Sequence, residues 1–294
     1  MTATTFSTGT AAPSAAEISA RRQAFRALHA KGCFIIPNPW DVGSARMLKG
    51  LGFQALASTS SGMAWSRGRP DSGVSRDDVL AHLRELVAAT DLPVNADFES
   101  GYAQDAQGVA ESVRLAVETG VAGLSIEDAS GDPAQPIRTL AESVARLRAA
   151  RGAIDAAGGE VLLVGRAENF LHGRDDLQDT LTRLKAYADA GADCLYAPGI
   201  RTPQQISAVV QAVAPKPVNL LVGWASDMSL AQYAALGVRR ISVGGALARA
   251  AWGGFLNAAR QLAHEGRFDA LAGAAPGQGL NDLFSGASDP VLLR

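Results

Sequence analysis

Pro93-Val94-Asn95-Ala96-Asp97-Phe98-Glu99-Ser100-Gly101-Tyr102, Gly123-Leu124-Ser125-Ile126-Glu127-Asp128 and Val161-Leu162-Leu163-Val164-Gly165-Arg166-Ala167-Glu168-Asn169 share one pattern. In each, a short apolar run ends in acids or an arginine that its core face could not tolerate. A parallel barrel gathers all such strand ends on one rim, where active sites of that architecture lie. Clustered carboxylates repel unless something positive separates them, and hard oxygen ligands suit Mg²⁺. The pattern points to a metal-assisted enzyme.

Outward from these three stretches, eight short apolar runs recur: 34–37, 55–58, 94–97, 123–127, 161–166, 193–197, 217–221 and 240–243. They are too short for buried helices and sit beside Gly, Pro or Asp, which favours strands. Between them lie amphipathic segments predicted as helices over 76–89, 106–119, 141–157, 177–190, 202–214 and 229–236. Glycine endings such as Gly120, Gly191 and Gly237 supply the left-handed residue that closes a helix. Alternation about every 30 residues means parallel strands with right-handed crossovers, and eight units close into an α/β fold, the (β/α)₈ TIM barrel. A doubly wound open sheet would often carry a glycine-rich nucleotide turn after its first strand, where this chain has Pro37-Asn38-Pro39-Trp40-Asp41.

The chain has 294 residues, 47% hydrophobic and 19% charged, with a formal charge of −2. A barrel of this kind commonly uses roughly 250 residues as one domain. The expected organisation is a flexible N-terminal tail over 1–18, a catalytic barrel over 19–267 and a helical extension over 268–294. Near-neutral charge without a basic run gives no footprint for nucleic acid or membrane surface. Two cysteines, Cys33 and Cys194, are too few for a disulfide framework, and the start lacks a signal peptide's basic and apolar blocks, so a cytoplasmic protein is expected. A helix over 246–265, a Gly/Ala/Pro break at 273–279 and an amphipathic piece at 280–284 follow the last strand. Such an extension lacks a core of its own. A partner could supply one, so a homo-oligomer, dimer or tetramer, is expected, with the helix exchanged between subunits; the alternative is that it packs on the outside of its own barrel.

Among the strand-end residues, Asp97 and Glu99 are two apart, and in a strand such residues share a side. Both can face one Mg²⁺ (or Mn²⁺), one of them through water. Glu127-Asp128 at the next strand end bring the cluster to four acids, which would repel one another without a cation. Arg166 can grip a substrate carboxylate or phosphonate through its fork, or pair internally with Glu127 or Glu168, and both can hold together, the acid orienting the arginine. Ser58-Thr59-Ser60-Ser61-Gly62-Met63 offers small residues and exposed N–H groups for an anion, and Asp71 is an outer metal partner or a turn residue. The histidines lack metal-ligand spacing.

With Pro39-Trp40-Asp41, Ser44-Ala45-Arg46, Ser61-Gly62, Asp97-Phe98-Glu99-Ser100-Gly101-Tyr102, Ile126-Glu127-Asp128, Arg166-Ala167-Glu168 and Ala190-Gly191-Ala192-Asp193 in order, the chain resembles the isocitrate lyase/phosphoenolpyruvate mutase superfamily from about Ser19 to Arg267. The resemblance implies Asp97 as principal Mg²⁺ ligand, with Glu99 and Glu127 as further metal-shell residues and Asp71 beside them, largely through water. It implies Ser61, Gly62 and Met63 binding a 2-oxo carboxylate, and Arg166 binding the far carboxylate or phosphonate. Arg166, Glu127 and Asp71 are the catalytic candidates, and Asn219 at the end of strand seven joins the substrate contacts. Where the family's lyases carry a Lys-Lys/Arg-Cys-Gly-His lid, this chain reads Asp128-Ala129-Ser130-Gly131-Asp132-Pro133-Ala134-Gln135-Pro136, and the mutase-type lid is also absent. The expected function is a Mg²⁺-dependent carbon–carbon lyase on small 2-oxo or 2-hydroxy dicarboxylates. It would act by oxaloacetate decarboxylation or methylisocitrate-type cleavage through a metal-stabilised pyruvate enolate. Phosphonopyruvate mutase or hydrolase action, or a non-catalytic metal- and anion-binding role, are the alternatives.

Overall fold

The structure, a computed structural model, describes residues 12–286. Eight strands follow in chain order: β1 Phe34–Ile36, β2 Leu56–Ala57, β3 Val94–Asp97, β4 Gly123–Glu127, β5 Leu162–Arg166, β6 Cys194–Tyr196, β7 Val218–Leu221 and β8 Arg240–Ser242. All pair in parallel, in the order β1-β8-β7-β6-β5-β4-β3-β2. The remaining seam, between β1 and β2, is joined by the Ala57 N–H donating to the Pro37 carbonyl at 3.0 Å. Asn38 reinforces it. Its amide donates to the Ser58 carbonyl, while its Oδ1 accepts the N–H groups of Val243 and Gly244, all within 3.0 Å. The result is a (β/α)₈ barrel with a C-terminal helical addition.

The helices are α1 Ala15–Ala30, α2 Val42–Gly50, α3 Ser60–Ser66, α4 Arg76–Ala89, α5 Ala106–Glu118, α6 Leu140–Ala156, α7 Leu177–Asp189, α8 Pro203–Val213, α9 Leu230–Ala235, α10 Ala246–Glu265 and α11 Gly277–Ser285. Side-chain caps fix many of their starts. Ser14 with Glu17, Ser75 with Asp78 and Thr139 with Glu142 form reciprocal capping boxes, which satisfy two orphan N–H groups each. The first of these moves the expected tail boundary: the chain is helical from Ala15, so residues 15–18 belong to α1, and residues 1–11 lie outside those described.

Strand residues alternate between two apolar clusters. Val94, Ala96, Leu124, Ile126 and Leu163 face the helices, whereas Phe34, Ile36, Ala57, Leu162 and Val164 face the barrel axis. Phe25 of α1 joins the inner cluster, so α1 closes the barrel at the N-terminal ends of the strands. Gly123 makes room for it: a Cβ there would lie 2.7 Å from the Phe25 ring. His29, one turn on, stands edge-on to Phe25 and Phe34 and donates from Nδ1 to the Phe25 carbonyl. Among the described residues no helix is long and apolar enough to cross a membrane.

Beyond the barrel, α10 leaves Trp252, Phe255, Leu256 and Leu262 exposed. The chain then turns back, and α11 lies on α2 of the same chain, with the Phe284 ring against Gly43.

Burial, with Arg240 next to it, pushes the His29 imidazole down to about 3. The unfolded chain takes up this proton below its ordinary value of roughly 6.5, whereas the folded one does so only near 3. Stability must therefore fall as pH drops through that window. In urea titrations at pH 7, 6 and 5, His29→Gln, which keeps a donor and an acceptor, should lose less stability on acidification than the wild-type chain.

Candidate active site

At the C-terminal ends of the strands lies a cavity of about 200 Å³. Asp97 and Arg166 line it from β3 and β5, Asn219 from β7, and Ser61 and Asp71 from the segment after β2. Arg166 is the hub. Its Nη1 lies 3.2 Å from Asp97 and 3.1 Å from Glu127, and its Nε donates to Glu168. The pairing register puts Glu127 beside Arg166 and Arg166 beside Tyr196, whose ring centroid sits 5.2 Å from the guanidinium carbon. Thus the internal pairing expected of Arg166 is present, to both glutamates and to Asp97 as well.

Electrostatics here are unbalanced. Asp97, Glu127 and Glu168 pair with one guanidinium, and Asp71 and Glu99 add their charges beside Asp97. Burial pushes Glu127 well above the ordinary carboxylate range; Arg166 opposes this, and Glu168, Asp97 and Glu99 add to it. Burial likewise raises Asp71, helped by Asp97, and raises Glu99. For Arg166, burial works against the charge and Glu127, then Glu168, more than restore it.

Several expected positions take different roles. Glu99 does not continue the strand: Phe98 turns into the core, and Glu99, Gly101 and Tyr102 all have positive φ, at 45°, 85° and 51°. The two-residue alternation that should have put Glu99 level with Asp97 ends there, and its carboxylate accepts from Tyr102 Oη at 2.7 Å. Asp128 leaves the acid cluster altogether. It is buried behind the wall, where it accepts from the Glu168 N–H, Tyr187 Oη and Arg183 at 2.8, 2.6 and 3.1 Å. The stretch 60–66 is not a loop but α3, capped by Thr59. Consequently the Gly62 and Met63 N–H groups are spent on Thr59, and Met63 packs in the outer core. Glycine at 62 serves close packing, since a Cβ would lie 2.9 Å from Trp40 Cβ. Ser61 alone of the three lines the cavity, while the Ser60 N–H donates to Asp97 at 3.0 Å.

Residues that sequence reasoning passed over also line the cavity: Asn38, Asn95, Ser125, Tyr196, Arg240 and Ser242. The signal was available in Asn95 and Ser125, polar residues at every second place of an apolar strand. The lid after β4 is a tight turn, with Ser130 bonded to Pro136, and it carries no cysteine, histidine or lysine. Cys194 is in the barrel interior, away from the lid.

No three His, Cys, Asp or Glu side chains among the described residues are gathered closely enough to hold a metal directly. The donor set nevertheless fits a hydrated Mg²⁺. That ion keeps several waters and takes only one or two carboxylates, and an excess of buried acid is the charge it would balance.

A family profile described as phosphoenolpyruvate phosphomutase matches residues 25–263. The chain belongs to the phosphoenolpyruvate mutase/isocitrate lyase superfamily. That superfamily consists of lyases and mutases, so the chain is an enzyme. It is 34% identical to the 2-methylisocitrate lyase of Salmonella typhimurium over 183 residues, 59% of this chain and 61% of that one. It is 29% identical to the oxaloacetate decarboxylase of Paraburkholderia xenovorans over 75% of this chain and 74% of that one. A solved lyase/mutase candidate from Burkholderia cenocepacia superposes with a TM-score of 0.90 at 50% identity, covering 93% and 99% of the two chains. Oxaloacetate acetylhydrolase bound to oxalate superposes with 0.81 at 25% identity, covering 92% and 96%.

In this superfamily member, Asp128 joins the backbone after β5 to α7. Removing one partner of a buried, hydrogen-bonded charge costs roughly 3–5 kcal/mol. Asp128→Ala should lower the unfolding free energy by about that amount in chemical denaturation, whereas Asp132→Ala, on the exposed lid, should change it by less than about 0.5 kcal/mol.

Proposed function

We propose that this enzyme is a Mg²⁺-dependent carbon–carbon lyase acting on small 2-oxo or 2-hydroxy dicarboxylates, with oxaloacetate decarboxylation favoured over methylisocitrate-type cleavage. The observation that carries the reading is the surplus of acids about Arg166 at the mouth of the barrel, beside a lid without cysteine, histidine or lysine. Asp97 would be the direct metal ligand, with Asp71, Glu99 and Glu127 reached through water. Mn²⁺ is an alternative ion. Bound there, a divalent cation would supply positive charge to a 2-oxo acid and to the enolate that forms from it, a contribution of several kcal/mol.

The chain's own residues do the rest. Arg166 holds Asp97, Glu127 and Glu168 in place, and Ser61 and Asn219 present a hydroxyl and an amide to a carboxylate or carbonyl oxygen. Decarboxylation breaks the C3–C4 bond, sends its electron pair toward the C2 carbonyl and releases CO₂. It needs no base to begin, which suits the lid. Retro-aldol cleavage does need one, and Asp71 and Glu127, both with raised affinity for a proton, are the nearest candidates.

The family profile favours a second reading, phosphonopyruvate mutase or hydrolase action, which phosphorus NMR of phosphonopyruvate incubations would reveal. Two free thiols accord with a cytoplasmic setting. The apolar residues left open along α10 suit a second copy of the chain, in a dimer or tetramer.

Oxaloacetate and 2-methylisocitrate should each be assayed with Mg²⁺ and with chelator. Chelation should abolish turnover, and Asp97→Ala should lower kcat/KM by roughly 100-fold or more. Turnover indifferent to both changes would remove the metal from the mechanism.

A further inference from the structure

Arg240 opens β8 and points into the barrel, buried, on the floor of the same cavity that Asp97 and Asp71 line at its mouth. Every partner the structure gives it is neutral. Nε donates to Asn219 Oδ1 at 2.8 Å, and Nη1 to Asn95 Oδ1 and His29 Nε2, both at 3.4 Å. His29 accepts there because its Nδ1 proton is committed to the Phe25 carbonyl. No carboxylate among the described residues forms an ion pair with Arg240, in contrast to Arg166 with its three acids.

A buried guanidinium without a counter-charge is expensive, and barrel interiors are ordinarily packed with branched apolar residues. Here the inner apolar cluster is interrupted by amides and hydroxyls: Asn95, Asn219, Ser125 and Ser242 surround the arginine's side of the cavity. The amides are held so that their oxygens face the guanidinium. Asn219 Nδ2 donates to Ser242 Oγ at 3.0 Å and Asn95 Nδ2 to the Ala96 carbonyl at 3.1 Å. A volume of about 200 Å³ has room for a small organic acid.

We infer that Arg240 is a substrate-binding residue that receives the second carboxylate of a dicarboxylate from below, while the 2-oxo or 2-hydroxy head lies at the mouth beside Asp97. Asp97 stands two residues beyond Asn95 on β3, a rise of about 6.6 Å, which matches the reach of a short diacid between the two levels. Arg166 already pairs through Nε and Nη1 with three acids, whereas every partner of Arg240 is neutral, so Arg240 is the cation in the cavity without a counter-charge. This inference rests on the reading above only for the position of the head group. Within that dicarboxylate class it assigns the distal carboxylate to one residue.

Malate and lactate share a 2-hydroxy acid head and differ in whether they carry the distal carboxylate. In calorimetric titrations with Mg²⁺ in chloride-free buffer, the wild-type enzyme should bind malate at least 10-fold more tightly than lactate. Arg240→Met should weaken malate roughly 10- to 100-fold, the worth of a charge-assisted hydrogen bond or two, and leave lactate within about 3-fold. Arg240→Lys should retain part of the preference. An unchanged malate-to-lactate ratio in Arg240→Met would overturn the assignment. Should that variant not fold, crystals of the wild-type enzyme soaked in malate decide: a carboxylate on Arg240 supports the inference, and one held by Arg166 alone overturns it. Absence of any lyase turnover with the malate preference intact would count against the proposed reaction and not against this site.

Discussion

The guanidinium of Arg166 is what allows the ends of β3, β4 and β5 to exist as they are. Asp97, Glu127 and Glu168 come from consecutive parts of the barrel rim and all point at it. Glu127 and Glu168 are buried to an extent that an isolated carboxylate could not sustain ionised, and one arginine is shared between them and Asp97. The arrangement is stable only as a set. It gathers more acid than base on the cavity's upper wall, and under the proposed function a divalent cation would complement that rim.

Behind this wall a second buried cluster fixes the first. Asp128 is adjacent in sequence to Glu127, and it holds the Glu168 N–H, Tyr187 and Arg183. The backbone on both sides of the Arg166 fork is thereby tied to α7, and Arg183 is itself anchored by Asp179 at 2.8 Å. A strand end carrying Glu-Asp thus divides its two acids, one toward the cavity and one toward the helical layer. This is what alternation along a strand requires, and the two acids could not have served one metal.

The barrel was legible because its strands are short, apolar and punctuated: β3 and β4 run over the residues expected, and α4 and α10 begin and end where expected. Asp97 and Arg166 were legible for the same reason, as charges at the end of apolar runs. Glu99 was misplaced because alternation holds only while the backbone stays extended, and the turn at Glu99–Tyr102 abandons it. Gly62 and Met63 were misplaced because a Ser/Gly run reads equally as a loop or as the first turn of a helix, and the Thr59 cap decides for the helix. Arg240 was hidden by its neighbours. Arg239-Arg240 at the start of a strand reads as a solvated pair, and only the register with Asn219 shows that one of the two faces inward.

Taken together, the two arginines divide the cavity by charge. The upper level is acidic, with Arg166 paired to three acids; the lower level is cationic, with amides and hydroxyls about it and His29 held neutral beneath. A ligand that satisfies both must bring a metal-binding head and a negative tail on a short chain. That requirement favours a small dicarboxylate over pyruvate itself, whose single carboxylate could serve only one level. The same polarity also orders the chemistry. Under the proposed decarboxylation, a product that had lost its distal carboxylate as CO₂ would no longer pair with Arg240, so bond cleavage would itself weaken the grip on what remains and free the cavity for the next diacid.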